Sequence, residues 1–126
     1  MFKNLLITCF IGMLGILLGA FGAHSLKEIL EPAQLLSFET AVRYQMYHVI
    51  VLLFVNSYVG FKEKQKNIIS YLFFAGILLF CGSIYIIQLD ILSAKFIWFV
   101  TPFGGLLFVF GWLYMALKFI KKIKNS

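Results

Sequence analysis

The stretch Asn4–Ala23, NLLITCFIGMLGILLGAFGA, runs for 20 residues without a charged side chain. A helix needs about 20 mostly apolar residues to cross the hydrocarbon core of a bilayer, so this one stretch turns the reading toward a membrane. Working outward, Tyr44–Phe61, Ile68–Leu89 and Phe96–Lys118 are built in the same way. None alternates between apolar and polar residues as the strands of a membrane barrel would. The whole chain has 126 residues, of which 62% are hydrophobic and 13% charged. A soluble domain of that size could not hide so much apolar surface. The expected fold is therefore all-α: one integral-membrane domain over residues 1–126, an up-down four-helix bundle with spans at about 4–23, 44–61, 68–89 and 96–118. What remains is one loop of some length, short connectors and a tail, too little for a soluble catalytic or nucleic-acid-binding domain.

The net charge of +6 reads as topology. Lys3, Lys62, Lys64, Lys66, Lys118, Lys121, Lys122 and Lys124 fall on one side if all four spans cross, and only Lys27, Arg43 and Lys95 on the other. The positive-inside rule then puts both termini in the cytoplasm, with the bacterial cytoplasmic membrane as the expected location. The basic tail is placed to meet anionic lipid headgroups. A competing reading treats the first span as a signal peptide cleaved near Ala20-Phe21-Gly22, but its apolar run is long and its polar leader minimal. Cys9 and Cys81 are read as small hydrophobes, without a shared depth for a disulfide.

Within span one, Gly12, Gly15, Gly19 and Gly22 line one face, a surface on which another helix can approach closely. Gly104, Gly105 and Gly111 belong to a similar stripe with Trp112 in span four. In the first loop, Pro32 suits the first turn of a helix. The apolar positions Leu35, Leu36, Phe38 and Val42 among polar neighbours read as a short amphipathic helix, lying on the outer surface or running into span two. Glu39 and Arg43, four apart, are spaced to pair. In span three, Gly76 and Ser83 share one face at helical spacing, and Cys81, Tyr85 and Gln88 another.

Depth gives the one functional clue. Under this topology His24, Ser83, Tyr85 and Gln88 end outward-running spans, while Tyr44, Gln45, His48 and Thr101 begin inward-running ones. Polar groups inside a membrane are costly unless paired, so their crowding toward one leaflet asks for a reason. One is a hydrogen-bond clamp that fixes helix register. Another is an outward-facing pocket for a lipid headgroup, quinone or similar amphiphile, formed by His24, Tyr44, Gln45, His48, Ser83, Tyr85 and Thr101. His24 and His48 on different helices also allow haem ligation, proton transfer or pH sensing. Zinc would need more ligands than are at hand, and a Ser83–His48 hydrolase would lack a nucleophile elbow. Asn56 lies toward the opposite side and stands outside this cluster.

The words Gly19-Ala20-Phe21-Gly22-Ala23-His24, Tyr44-Gln45-Met46-Tyr47-His48, Phe80-Cys81-Gly82-Ser83-Ile84-Tyr85 and Thr101-Pro102-Phe103-Gly104-Gly105, continued by Gly111-Trp112, resemble the domain of unknown function 423 family in order and spacing. The resemblance covers nearly the whole chain. It implies four spans in a bacterial inner-membrane protein and argues against signal-peptide cleavage. It implies no activity.

Taken together, these readings favour a non-enzymatic membrane protein without a resident metal. It would bind a lipid-like ligand or membrane partner at the outer cluster and support the envelope. The alternatives are a haem- or quinone-linked redox or small transport role through His24 and His48, and a helix-packing scaffold or assembly factor. Expected partners are membrane lipids, a second copy or other membrane proteins, and not nucleic acid.

Overall fold

A computed structural model describes residues 2–126. The described residues form helices and no strands. Helix α1 spans Lys3–His24 and is followed by a short 3-10 turn, Leu26–Glu28. Helix α2 spans Pro32–Ser57. Helix α3 spans Glu63–Gln88 and includes a π-helical segment, Ile77–Cys81. A single turn, α4, covers Ala94–Ile97, and α5 covers Val100–Lys124. Three helices are long and apolar enough to cross a membrane: Lys3–Glu28, which takes in the 3-10 turn, Glu63–Gln88 and Val100–Lys124. Helix α2 is as long, at 26 residues, but Arg43, Gln45 and His48 interrupt its apolar run.

The first loop is mostly helix. Pro32 stands at the first turn of α2, and the Gln34 side chain accepts from the Glu31 backbone N–H at 3.0 Å, which satisfies one of the amides a helix start leaves free. The amphipathic stretch is thus the first turns of α2, running unbroken into the second apolar segment. Arg43 donates to Thr40 Oγ1 at 3.0 Å rather than to Glu39. At the end of α3 the chain turns through Asp90, which adopts a left-handed φ of 57°, a conformation aspartate tolerates better than most residues.

The long helices pack antiparallel along the chain. Gly12 faces Val49, Gly15 faces Gln45 and Met46, Gly19 faces Val42 and Gly22 faces Phe38, a regular register of α1 on α2. Phe38, Ala41, Leu52 and Val55 are buried on α2. On the other side of the core, Gly76 faces Phe108, Gly104 faces the backbone of Leu79 and Phe80, and Gly111 faces the ring of Phe73, so α3 runs antiparallel to α5. Gly105 meets only the Phe80 ring, at an ordinary 3.7 Å.

Helical spacing places Cys81 and Ser83 on different faces of α3, but both are buried. The reason is that α3 is covered on two sides: Ser83 meets Thr101 of α5, while Tyr85 bonds Gln45 of α2 and packs against Phe38, with ring centroids 5.0 Å apart. The π turn, which holds more residues than an α turn, lies just before them.

Candidate functional site

The polar residues expected at the outer end resolve into three separate links between helices. In the first, Gln45 of α2 donates through Nε2 to the Ile11 carbonyl of α1 at 2.8 Å and accepts at Oε1 from the Tyr85 hydroxyl of α3 at 2.6 Å. The buried Gln45 amide thus ties three helices together. In the second, the Ser83 hydroxyl of α3 meets that of Thr101 of α5 and also bonds the Phe80 carbonyl at 3.0 Å. The third is His48 of α2. Its Nε2 lies 3.1 Å from the Trp112 indole nitrogen of α5, and its Nδ1 lies 2.7 Å from the Tyr44 carbonyl.

These partners set the tautomer of His48. An indole N–H only donates, so Nε2 accepts and the proton sits on Nδ1, which donates to the Tyr44 carbonyl. The ring stacks on Phe108 at 3.8 Å between centroids and meets Phe73 edge-on at 5.0 Å. Tyr44 itself contributes only its carbonyl to this link. Its ring is exposed and stacks on Phe80 at 5.2 Å.

His24 does not join the other residues. It is exposed at the end of α1, two positions beyond Gly22, which faces Phe38. His48 lies one position before Val49, which faces Gly12. Twelve residues at 1.5 Å each separate the two levels by about 18 Å along the bundle, roughly three turns. Two histidines so placed do not fit the two axial positions of one haem, and both nitrogens of His48 are already engaged. Ser83 and His48 likewise bond to different partners. Among the described residues no three His, Cys, Asp or Glu side chains converge as a metal site would require.

A groove of about 380 Å³ lies beside the Ser83–Thr101 link. Ser37, Thr40, Gln88 and Thr101 give it polar atoms, and Ile87 and Trp98 give it apolar walls. It touches the predicted cluster at Thr101 alone of those seven residues.

A second polar centre at the opposite end was not anticipated. Asn4 Nδ2 donates to Asn56 Oδ1 at 3.1 Å and to Asn67 Oδ1 at 2.8 Å. Asn56 Nδ2 donates to the Leu52 carbonyl at 2.9 Å and to Ser70 Oγ at 2.8 Å. The Leu52 carbonyl can only accept, which orients Asn56 and, through it, Asn4. Asn4 Oδ1 is then left buried without a hydrogen-bond partner. Nearby, Lys3 donates to the Tyr71 hydroxyl at 2.7 Å. The signal for this centre was available: Asn4, Asn56, Asn67 and Ser70 all fall toward the same end of their helices, where Asn56 had seemed isolated.

Apolar helices whose buried polar groups are tied together across their interfaces define an all-helical membrane protein. The comparisons with known proteins agree. The chain belongs to the family described as "Protein of unknown function (DUF423)", which matches residues 18–105. It is 38% identical to a UPF0382 membrane protein of Staphylococcus aureus, over 86% of this chain and 88% of the relative. It is 36% identical to the UPF0382 membrane protein YwdK of Bacillus subtilis, over 86% and 89%. To a UPF0382 membrane protein of Haemophilus influenzae it is 36% identical over 90% of each chain. No solved structure matches it.

Proposed function

We propose that the chain is a four-span, up-down bundle of the bacterial cytoplasmic membrane with both termini cytoplasmic, and that it binds a lipid-like amphiphile in the groove beside the outer links. Its part is to bind rather than to react: Gln45, His48 and Ser83 are committed to neighbouring helices and act as the clamp that shapes the groove. The observation that carries the binding role is the lining itself. Polar groups on Ser37, Thr40, Gln88 and Thr101 stand against the apolar surfaces of Ile87 and Trp98, as a headgroup joined to a hydrocarbon chain would require.

The fourth span rests on the outward face of α2. Tyr47, Ile50, Leu53 and Phe54 are exposed along the middle of the apolar stretch, while Gln45, His48 and Asn56 are buried. These three polar groups therefore do not meet lipid, and Arg43, which is exposed, lies just before the apolar stretch.

Two experiments test the reading. Native mass spectrometry of the protein extracted in mild detergent should find a retained amphiphile. Ala94→Trp, which fills the groove, should remove it, and Leu106→Trp on the exposed face of α5 should not. Retention in both variants, or no amphiphile in the parent protein, refutes groove binding. For topology, Lys27→Cys and Lys64→Cys in a background without Cys9 and Cys81 are labelled in intact cells by an impermeant maleimide. Label at 27 and none at 64 is expected, and the reverse overturns the orientation.

A further inference from the structure

At the end of the bundle far from that groove, a second opening of about 370 Å³ is lined by Lys62, Gln65, Lys118, Lys121, Lys122, Asn125 and Ser126 among others, and by no aspartate or glutamate. We propose that it is a phosphate-binding site that holds the headgroup of an anionic phospholipid from the inner leaflet.

Three lysines sit on one face of α5, at positions 118, 121 and 122, spaced so that a helix brings them together. Helix ends and cytoplasmic segments commonly carry lysine, and those three alone would say no more. Lys62 is different. It comes from the connection between α2 and α3, more than fifty residues away in sequence, yet lines the same opening.

The opening is held in shape from below. Phe119, between the lysines of α5, packs on Phe61 and Tyr58 of the connection with centroids 5.2 and 5.9 Å apart, and Tyr58 meets Phe61 at 5.0 Å. Phe61 is buried. This aromatic cluster docks the end of α5 against the loop and keeps the two sources of positive charge together. Lys118 lies over the Tyr114 ring at 4.8 Å. The carbonyl oxygen of Gln65 accepts from the Lys62 backbone N–H at 3.0 Å, so what its side chain has left to offer is its N–H donors. Glu63 lines a different opening, with Lys3, Asn4 and Asn67. Four ammonium groups and amide donors, with no aspartate or glutamate among them, outnumber the Ser126 carboxyl group beside them and leave the lining net positive, as a phosphate oxygen cluster requires. Tyrosines at this level mark the membrane interface, where headgroup phosphates lie.

The test exploits the cations left outside. Lys64 and Lys124 contribute to the same cytoplasmic charge but do not line the opening. The delipidated full chain in neutral detergent is titrated with dioleoylphosphatidylglycerol or dioleoylphosphatidylcholine and read by native mass spectrometry. Phosphatidylglycerol should bind more tightly. Each of Lys62→Gln and Lys121→Gln should weaken it about fivefold and the pair about 25-fold, as loss of one headgroup-facing lysine at a time predicts. Lys62→Arg and Lys121→Arg should retain it, and Lys64→Gln and Lys124→Gln should stay within about twofold of the parent. Equal losses at Lys64 or Lys124 would reduce the effect to diffuse surface charge and overturn the site, as would unchanged binding in the Lys62 and Lys121 variants. Helical circular dichroism of each variant checks folding, and Lys118→Gln replaces any that fails. Sodium phosphate distinguishes the source: failure to displace the lipid assigns the site to the headgroup, and displacement at millimolar concentration assigns it to free phosphate.

Discussion

Alanine at Gly104 and alanine at Gly105 should have opposite effects, although the two residues are neighbours on α5. A Cβ at Gly104 would press on the backbone nitrogen of Phe80 and stand 2.8 Å from both the Leu79 carbonyl carbon and the Phe80 Cα. These are backbone atoms of the π segment and cannot turn aside as a side chain can. Helix α5 would have to draw back, loosening Phe108 from His48 and Thr101 from Ser83. Overpacking of this kind costs about 1–3 kcal/mol, and alanine returns up to about 1 kcal/mol of helix preference over glycine. The expected net loss is about 0–2 kcal/mol, against the neutral or favourable change at the neighbouring position. At Gly105 the new methyl meets only the Phe80 ring at 3.7 Å, so Gly105→Ala should be neutral or stabilising by about 0.5–1 kcal/mol. Both variants are compared with the parent by unfolding in increasing mole fraction of sodium dodecyl sulfate in mixed micelles, followed by circular dichroism. If Gly104→Ala is as stable as Gly105→Ala, α5 does not approach the π segment as described.

Two further substitutions probe the polar links with the same unfolding assay. Trp112→Phe keeps most of the aromatic surface but leaves His48 Nε2 without its donor, and should cost about 1–3 kcal/mol as an unsatisfied buried group; an effect below about 0.3 kcal/mol would mean that the indole does not hold His48. Asn56→Ala removes the hub of the asparagine network. It should cost about 0.6–1.7 kcal/mol, the range for interhelical hydrogen bonds in membranes, and a stability equal to the parent's would show that Asn4, Asn67 and Ser70 do not depend on it.

Much of the helical pattern can be read from composition. Runs such as Asn4–Ala23 are too long and too apolar for any other reading, and α1, α3 and α5 follow from them. The first turns of α2 are harder, because Gln34, Ser37, Glu39 and Arg43 give a loop-like composition although Pro32 and Gln34 start a helix there. The π segment is invisible to periodicity: Ile77–Cys81 is as apolar as its neighbours, and only packing against Gly104 and Phe108 gives the extra residue in the turn a place. For the polar residues, depth could be estimated from the chain but partners could not. Trp112 reads as one member of a stripe, and nothing local says that its indole faces His48. His24 and His48 look close when counted inward from their span ends. In fact α2 begins twelve residues before Tyr44, so the level opposite His24 is far up that helix.

The polarity of α2 has a structural reason that its sequence alone conceals. In a bilayer, apolar contact does not favour helix against helix over helix against lipid, so close packing and interhelical hydrogen bonds must choose the neighbours. Helix α2 supplies a side chain for most of these choices. Gln45 reaches α1 and α3 at one level; Asn56 reaches the same two helices at another. Eleven residues separate them, about 16 Å at 1.5 Å per residue, so α1 and α3 are pinned to α2 at two heights and cannot slide or rotate independently. Between these rungs His48 fixes α5 through Trp112. The Ser83–Thr101 contact and, between α1 and α3, the Asn4–Asn67 and Lys3–Tyr71 bonds tie helices without passing through α2. A central helix with this task must be the least hydropathic of the long four, and it must be apolar on the face its neighbours leave bare. Removing Gln45, His48 and Asn56 together would make α2 a better membrane segment by composition and a worse organiser of the bundle.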